Sequence, residues 1–216
     1  MVREVPQSGL IDGGQPQISG RIRSVQIGRI APLGPERVPS AFVKRPISGA
    51  THVGPLGLAG DEQADLRVHG GATKAVYGYA YSNYALWLSA FPEHAALLVP
   101  GGLGENLTLD GCDEQSVHVG DVVRIGNAVL QVTEPRQPCF KFALRFENVA
   151  MVHAMVENGK CGWYYRVLEP GALSAGDAVV LLERPNPTWT IDRVNRQIVQ
   201  RRASAAERAE FARLAS

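Results

Sequence analysis

The chain has 216 residues, is 45% hydrophobic and carries a formal charge of +1. This size and apolar share support a buried core, in one domain with an appendage or in two small domains. The near-neutral balance excludes a global field for nucleic acid or acidic membrane and leaves only local basic patches. No window offers the roughly 18 apolar residues of a membrane span, and the first twenty residues have no apolar signal core. Cys112, Cys139 and Cys161 form neither a paired scaffold nor a CxxC site. The expected setting is the reducing cytoplasm.

Residues 1–20 are polar and read as a loosely packed lead-in. Residues 21–30 read as a strand with Ile22, Val25, Ile27 and Ile30 as its apolar positions. Residues 54–71 hold glycines and charges with little periodicity and read as a long structured loop, a kind of segment that often carries function. Residues 76–91 are rich in tyrosine and tryptophan, and Tyr84, Leu88 and Phe91 recur at helical spacing, which predicts a helix packing an aromatic face into the core. Residues 122–125 and 128–133, on either side of Gly126-Asn127, predict a β-hairpin. Residues 134–139 then leave its second strand and put Cys139 in a proline-rigidified loop at a sheet edge. Residues 146–158 read as a helix from the spacing of Phe146, Val149 and Val152, with Gly159 as its stop. Residues 178–182 read as a final strand after the Glu169-Pro170-Gly171 turn. Beyond Pro187, Thr190 caps a helix with Ile191, Val194 and Ile198 on one face, and Ser204-Ala205-Ala206-Glu207 matches a capping box before a second helix. Two such short helices cannot bury their own faces, so they are expected to pack on the main domain, a partner chain or further chain.

Candidate chemistry concentrates in four blocks. In Glu134-Pro135-Arg136-Gln137-Pro138-Cys139-Phe140-Lys141, two prolines and an arginine frame a lone thiol. Held as a thiolate between basic residues, Cys139 is a nucleophile and a soft metal ligand; otherwise it is one of the commonest buried residue types. Residues 60–71 end in His69-Gly70-Gly71, followed by Lys74. Consecutive glycines let backbone N–H groups approach an anion, and His69 donates, accepts or changes charge near neutral pH; the alternative is a tight turn with Asp61 and Asp65 as its caps. Gly102-Leu103-Gly104-Glu105-Asn106-Leu107 lacks the spacing and lysine of a nucleotide P-loop, and Asn106 either orients a heterocycle or closes a turn. Residues 159–166 mix basic and aromatic groups, where Arg166 either fixes an anionic cofactor tail or makes a surface salt bridge. A zinc site built from His69, Cys139 and an aspartate lacks diagnostic spacing.

In combination these blocks resemble the MOSC domain family, the module at the C-terminus of molybdenum cofactor sulfurases and in amidoxime-reducing proteins, and within it the stand-alone bacterial YiiM-like branch. The matching elements are Ser40-Ala41 with Lys44, residues 57–71 with their His-Gly-Gly ending, Gly104-Glu105-Asn106-Leu107, Gly120-Asp121, Arg136 with Pro138-Cys139, and Gly162-Trp163 through Pro170-Gly171. The resemblance implies a mainly β fold with helices (α+β), a MOSC-like β-barrel over residues 21–184. A polar lead-in at 1–20 precedes it, and a helical appendage at 185–216 resembles two helices of a three-helix domain.

The resemblance also implies roles. Cys139 falls on the family's cysteine and ligates molybdenum in a pterin cofactor, which soft thiolate chemistry permits. His69 joins it as a catalytic residue and lines the pocket with Gly70 and Gly71. Asn106 bonds the pterin or orients the substrate, and Lys44, Lys74, Arg136, Lys141 and Arg166 are candidates for the cofactor phosphate. The implied reaction of this molybdenum-cofactor-dependent oxidoreductase is reduction of N-hydroxylated bases, such as hydroxylaminopurines, to amines. A separate reductase is the expected electron donor, because the chain has neither a four-cysteine iron–sulfur spacing nor a flavin motif. Two other readings stay open: a persulfide or molybdenum-cofactor carrier working through Cys139, and a non-catalytic homodimeric binding module completed by the terminal helices. Neither a membrane nor a nucleic-acid polymer is expected as a partner.

Overall fold

Seven short runs, most of them rich in β-branched and aromatic residues, form the strands β1 (Gln17–Gly28), β2 (Val76–Ala80), β3 (Leu107–Asp110), β4 (Val122–Ile125), β5 (Ala128–Pro135), β6 (Trp163–Glu169) and β7 (Ala178–Glu183). In this computed structural model, which describes residues 17–64 and 70–200, they pair in the order β7-β4-β5-β6-β2-β3-β1. A further pairing of β1 with β7 closes the barrel. Closure matters because an open sheet edge would present unpaired backbone groups to other chains. β2 and β3 run parallel, and the other neighbours are antiparallel. A parallel pair needs a crossover, and residues 81–106 supply it, including helix α1 (Asn83–Ala90). The other α-helices among the described residues are α2 (Phe140–Phe146), α3 (Ala150–Asn158) and α4 (Ile191–Gln200). The strand Lys44–Pro46 extends the sheet from β1. No helix among the described residues is long and apolar enough to cross a membrane.

The strands alternate with period two, as a barrel requires. Val123 and Ile125, Leu130 and Val132, Trp163 and Tyr165, and Val179 and Leu181 are all buried at alternate positions. Gly78 makes room for two of these rings: a Cβ there would lie 2.9 Å from Tyr165 and 3.2 Å from Trp163. Its neighbours Tyr77 and Tyr79 point to the other face and are covered by a second apolar layer. In that layer Trp87 of α1 meets Phe142 of α2 at 6.1 Å between ring centroids, Phe142 meets Phe146 at 5.2 Å, and Met151 and Met155 of α3 are fully buried.

The expected α+β barrel is the fold observed, with corrections at individual elements. The first strand begins at Gln17 and ends at Gly28, and Ile30, read as an apolar position, is exposed. The single helix expected over 76–91 is instead β2 followed by α1. Val-Tyr-Gly-Tyr-Ala is buried on both faces, and such a run carries no periodic signature of strand or helix. Tyr84 and Trp87 nevertheless pack into the core as expected, whereas Leu88 is exposed. The helix expected over 146–158 is broken. Phe146 ends α2, Glu147 adopts the left-handed conformation (φ 51°), and Asn148 Oδ1 accepts from the Ala150 N–H as the chain turns into α3. Gly159 stops α3 in the left-handed conformation, as predicted. The hairpin at Gly126-Asn127 and the last strand stand as read. Thr190 Oγ1 accepts from the Arg193 N–H and starts α4, with Ile191 and Val194 buried and Ile198 exposed. The second capping box, at 204–207, lies outside the described residues.

Candidate functional site

The end of β1, the starts of β2, β3 and β6 and the end of β5 converge at one end of the barrel. Between them and the loops at 40–44, 61–64 and 70–74 lies a solvent-open cleft of about 620 Å³. Pro135 closes β5 opposite Trp163, and the chain is then pinned by a hydrogen bond from the Arg136 N–H to Gly162 O at 3.2 Å. Three residues later Cys139, half-buried on the cleft wall, takes up extended backbone (φ −125°, ψ 170°) immediately before α2. Gln137 reaches the other way, its Nε2 donating to Asn195 Oδ1 of α4 at 2.9 Å. The cysteine loop is thereby tied to the barrel on one side and the C-terminal helix on the other.

Arg136 is 4% exposed. Its guanidinium carbon lies 5.3 Å from the Tyr77 ring centroid, 5.5 Å from Phe142 and 5.7 Å from Phe42, and Nη1 contacts Met155 Sδ at 3.4 Å. Among the described residues no carboxylate pairs with it. Burial pushes the Tyr164 phenol above its ordinary value, opposed by the adjacent Arg136 charge.

Lys44, by contrast, is neutralised. Its Nζ lies 2.5 Å and 2.6 Å from the two carboxylate oxygens of Asp61, and both side chains are buried. Burial lowers the Lys44 pKa, against the opposing pull of Asp61 and Glu105. Asp61 also accepts from the Gly28 N–H at 2.6 Å and from Asn106 Nδ2 at 2.9 Å. Asn106 spends its second N–H on Gln26 O and accepts from the Tyr77 N–H through Oδ1. Its amide therefore ties β1, β2 and the Asp61 loop together and keeps little capacity for a ligand. Glu105 is likewise turned inward, accepting from Tyr84 Oη, the Thr108 hydroxyl and the backbone N–H groups of Gly101 and Leu103. That carboxylate shapes the turn on which Gly104, at φ +87°, meets the cleft with a bare backbone; a Cβ there would sit 3.1 Å from the Phe42 ring.

The structure thus brings together Cys139, Lys44, Gly70, Lys74, Asn106, Arg136 and Lys141 on one cleft. Lys141 Nζ donates to Pro39 O at 3.1 Å, and Lys74 lies 3.8 Å from Glu134 and over the Tyr164 ring. Gly71 is one residue removed from the wall, heading the short turn Ala72–Lys74. Arg166 does not join the cluster: it is exposed further along β6, where Nε donates to Gln131 Oε1 on β5. His69 lies outside the described residues. Asp61, Phe42, Tyr77 and Tyr164 are cleft residues that the motif reading did not single out as site residues. Tyr164 had a signal, since period-two alternation puts it opposite the buried Trp163 and Tyr165; Asp61 had none, because its lysine partner is 17 positions away.

A closed mixed barrel with a cysteine-bearing, cation-lined cleft at one end defines the class, and the chain belongs to the MOSC domain family, whose family model matches residues 65–180. Protein YiiM of Escherichia coli (strain K12) is 42% identical over 150 residues, covering 69% of this chain and 67% of that protein. The crystal structure of YiiM from Geobacillus stearothermophilus superposes with a TM-score of 0.75 at 29% identity, covering 89% of this chain and 90% of that one. A protein named reductase from Gibberella moniliformis is 36% identical over 198 residues; the match covers 90% of this chain but 35% of the fungal protein.

Proposed function

We propose that this protein binds a molybdenum cofactor and reduces N-hydroxylated bases or related compounds to amines, with electrons from a separate reductase. The observation that carries the reading is Arg136. A buried guanidinium without a carboxylate partner among the described residues calls for an anionic ligand, and a phosphate is the anion its planar fork suits best. The Cys139 thiol on the same cleft is the soft donor that a molybdenum centre accepts. The bare backbone at Gly70 and Gly104 lets a flat heterocycle with an anionic tail approach the cleft wall closely.

In this reading Cys139 would hold the metal, and Arg136 with Lys141 and Lys74 would hold the phosphate. When bound, the cofactor supplies the two-electron chemistry of N–O bond reduction. The remaining work belongs to the chain. The ring cage of Phe42, Tyr77 and Phe142 fixes the guanidinium before any ligand arrives, so little ordering is left to the binding step. Asn106 and Glu105 hold the cleft floor, and the Gln137–Asn195 bond holds the loop that presents Cys139. The name of the fungal relative supports the redox class.

The test is molybdenum and pterin content of protein purified from cofactor-producing cells, for the parent and for Cys139→Ala, followed by amine formation from an N-hydroxylated purine with a supplied electron donor. Near-stoichiometric molybdenum in the parent and its loss in the variant are expected. Equal content in both would remove Cys139 as ligand. Persulfide on Cys139 in molybdenum-free protein would move the assignment to sulfur carriage.

A further inference from the structure

The Lys44–Asp61 pair is the feature of the cleft that cofactor binding leaves unexplained. Its side chains are 8% and 4% exposed, and it sits on the wall shared with Cys139. Withdrawing two charges from water costs several kcal/mol per ion, so such a pair is poor evidence of a stabilising role. The carboxylate has no spare acceptor capacity: Oδ1 takes the Gly28 N–H and Lys44, and Oδ2 takes Lys44 and Asn106. With Gly28 and Asn106 on its other acceptor positions, it positions Lys44 and keeps none for a ligand. The ammonium has three donors, of which Asp61 engages two, and its charge is already compensated, which makes it a weaker phosphate partner than Arg136. What it has left to give is a proton.

We infer that Lys44, positioned by Asp61, is the proton donor to the oxygen that leaves an N-hydroxylated substrate. The inference rests on the reductase reading above. In the overall step, R–NH–OH takes two electrons and two protons and yields R–NH2 and water. The N–O bond breaks with its electron pair on oxygen, and the hydroxide leaves as water with the proton from Lys44 Nζ. The two electrons come through the cofactor from a reductase of the flavin or iron–sulfur class and end on nitrogen, which takes the second proton from solvent. The Lys44 amine is reprotonated from solvent before the next turnover. Asp61 and Glu105 favour the ammonium, burial opposes it, and Arg136, Lys74 and Lys141 face the same cleft as further positive charges. A lysine more acidic than usual is the better donor, and activity carried by its protonated form falls as pH rises through its pKa.

The experiment uses the full chain loaded in cofactor-producing cells, with Lys44→Arg, Lys44→Gln and Lys44→Ala, each checked for native circular dichroism. Cofactor content is expected to stay within roughly twofold of the parent while single-turnover amine formation falls about 10²–10⁴-fold. The alkaline limb of the parent's pH–rate profile is expected to vanish in Lys44→Arg, and methylamine is expected to restore part of the rate to Lys44→Ala. Loss of molybdenum and pterin from all three variants would overturn the inference and make Lys44 a cofactor ligand. Full content with an unchanged rate and alkaline limb would overturn it as well. A fully loaded parent that forms no amine would overturn the reductase reading and, with it, this step.

Discussion

At the scale of single residues, two buried charges of opposite kind organise the cleft. Glu105 is surrounded by donors, so its removal leaves Tyr84, Thr108 and two backbone N–H groups without their acceptor. Glu105→Ala is expected to destabilise the protein by about 3 kcal/mol, or roughly 6–12 °C in Tm for a chain of this size, read by thermal unfolding. Arg136 is the converse, a cation with rings and a thioether around it. Arg136→Met should lower the molybdenum and pterin content of purified protein roughly tenfold or more, the scale of a lost charge-assisted bond. Arg166→Ala should leave that content unchanged, since Arg166 bonds to Gln131 away from the cleft. The sequence marked Arg136, Cys139 and the glycine turns because their chemistry is local. It offered Asp61 only as a turn cap and gave no sign of its pairing with Lys44 or of the caging role of Phe42 and Tyr77, because those depend on side chains meeting from segments far apart in the chain.

At the scale of elements, legibility followed the strength of the local signal. The hairpin at Gly126-Asn127, the Gly159 stop and the Thr190 cap are backbone requirements written into single residues. The segments 76–91 and 146–158 depart from their local signal because tertiary burial overrides periodicity in the first and a left-handed Glu147 separates Phe146, the end of α2, from α3 in the second. Gly162 shows how strict such a backbone requirement is at the start of β6. It holds φ +67°, and a Cβ would lie 2.4 Å from Gly78 O on β2. Gly162→Ala is expected to cost about 3 kcal/mol or more. A urea midpoint within error of the parent would show that β6 can shift away from β2.

At the scale of the whole molecule, packing many phenols and thiols in the core sets a pH limit. Burial pushes the Cys112 thiol up to about 12 and raises Cys161 further, and it raises Tyr77, Tyr79, Tyr84, Tyr164 and Tyr165 above their ordinary 10.0. In the unfolded chain the thiols ionise first, then the phenols, while the folded state keeps its protons. The unfolded state therefore binds fewer protons above about pH 9, and stability that is complete below that value is lost as pH climbs toward the folded-state values. Each such group contributes a slope of up to about 1.4 kcal/mol per pH unit. Urea midpoints taken at about pH 8, 9.5 and 10.5 should fall progressively; a flat series would mean the core opens to let these groups ionise without unfolding.

The barrel's seam also sets a timetable. β1 pairs with β7, and Ser19 Oγ donates to Val179 O across 160 positions of sequence. On a ribosome adding about 5–20 residues per second, the first strand waits roughly 8–32 s for the strand that seals it. During that wait β1 and β4 both present bare edges to any neighbouring nascent chain. A chain cut short before Ala178 would hold that exposed state permanently, and is expected to collect in the insoluble fraction unless a chaperone shields the seam.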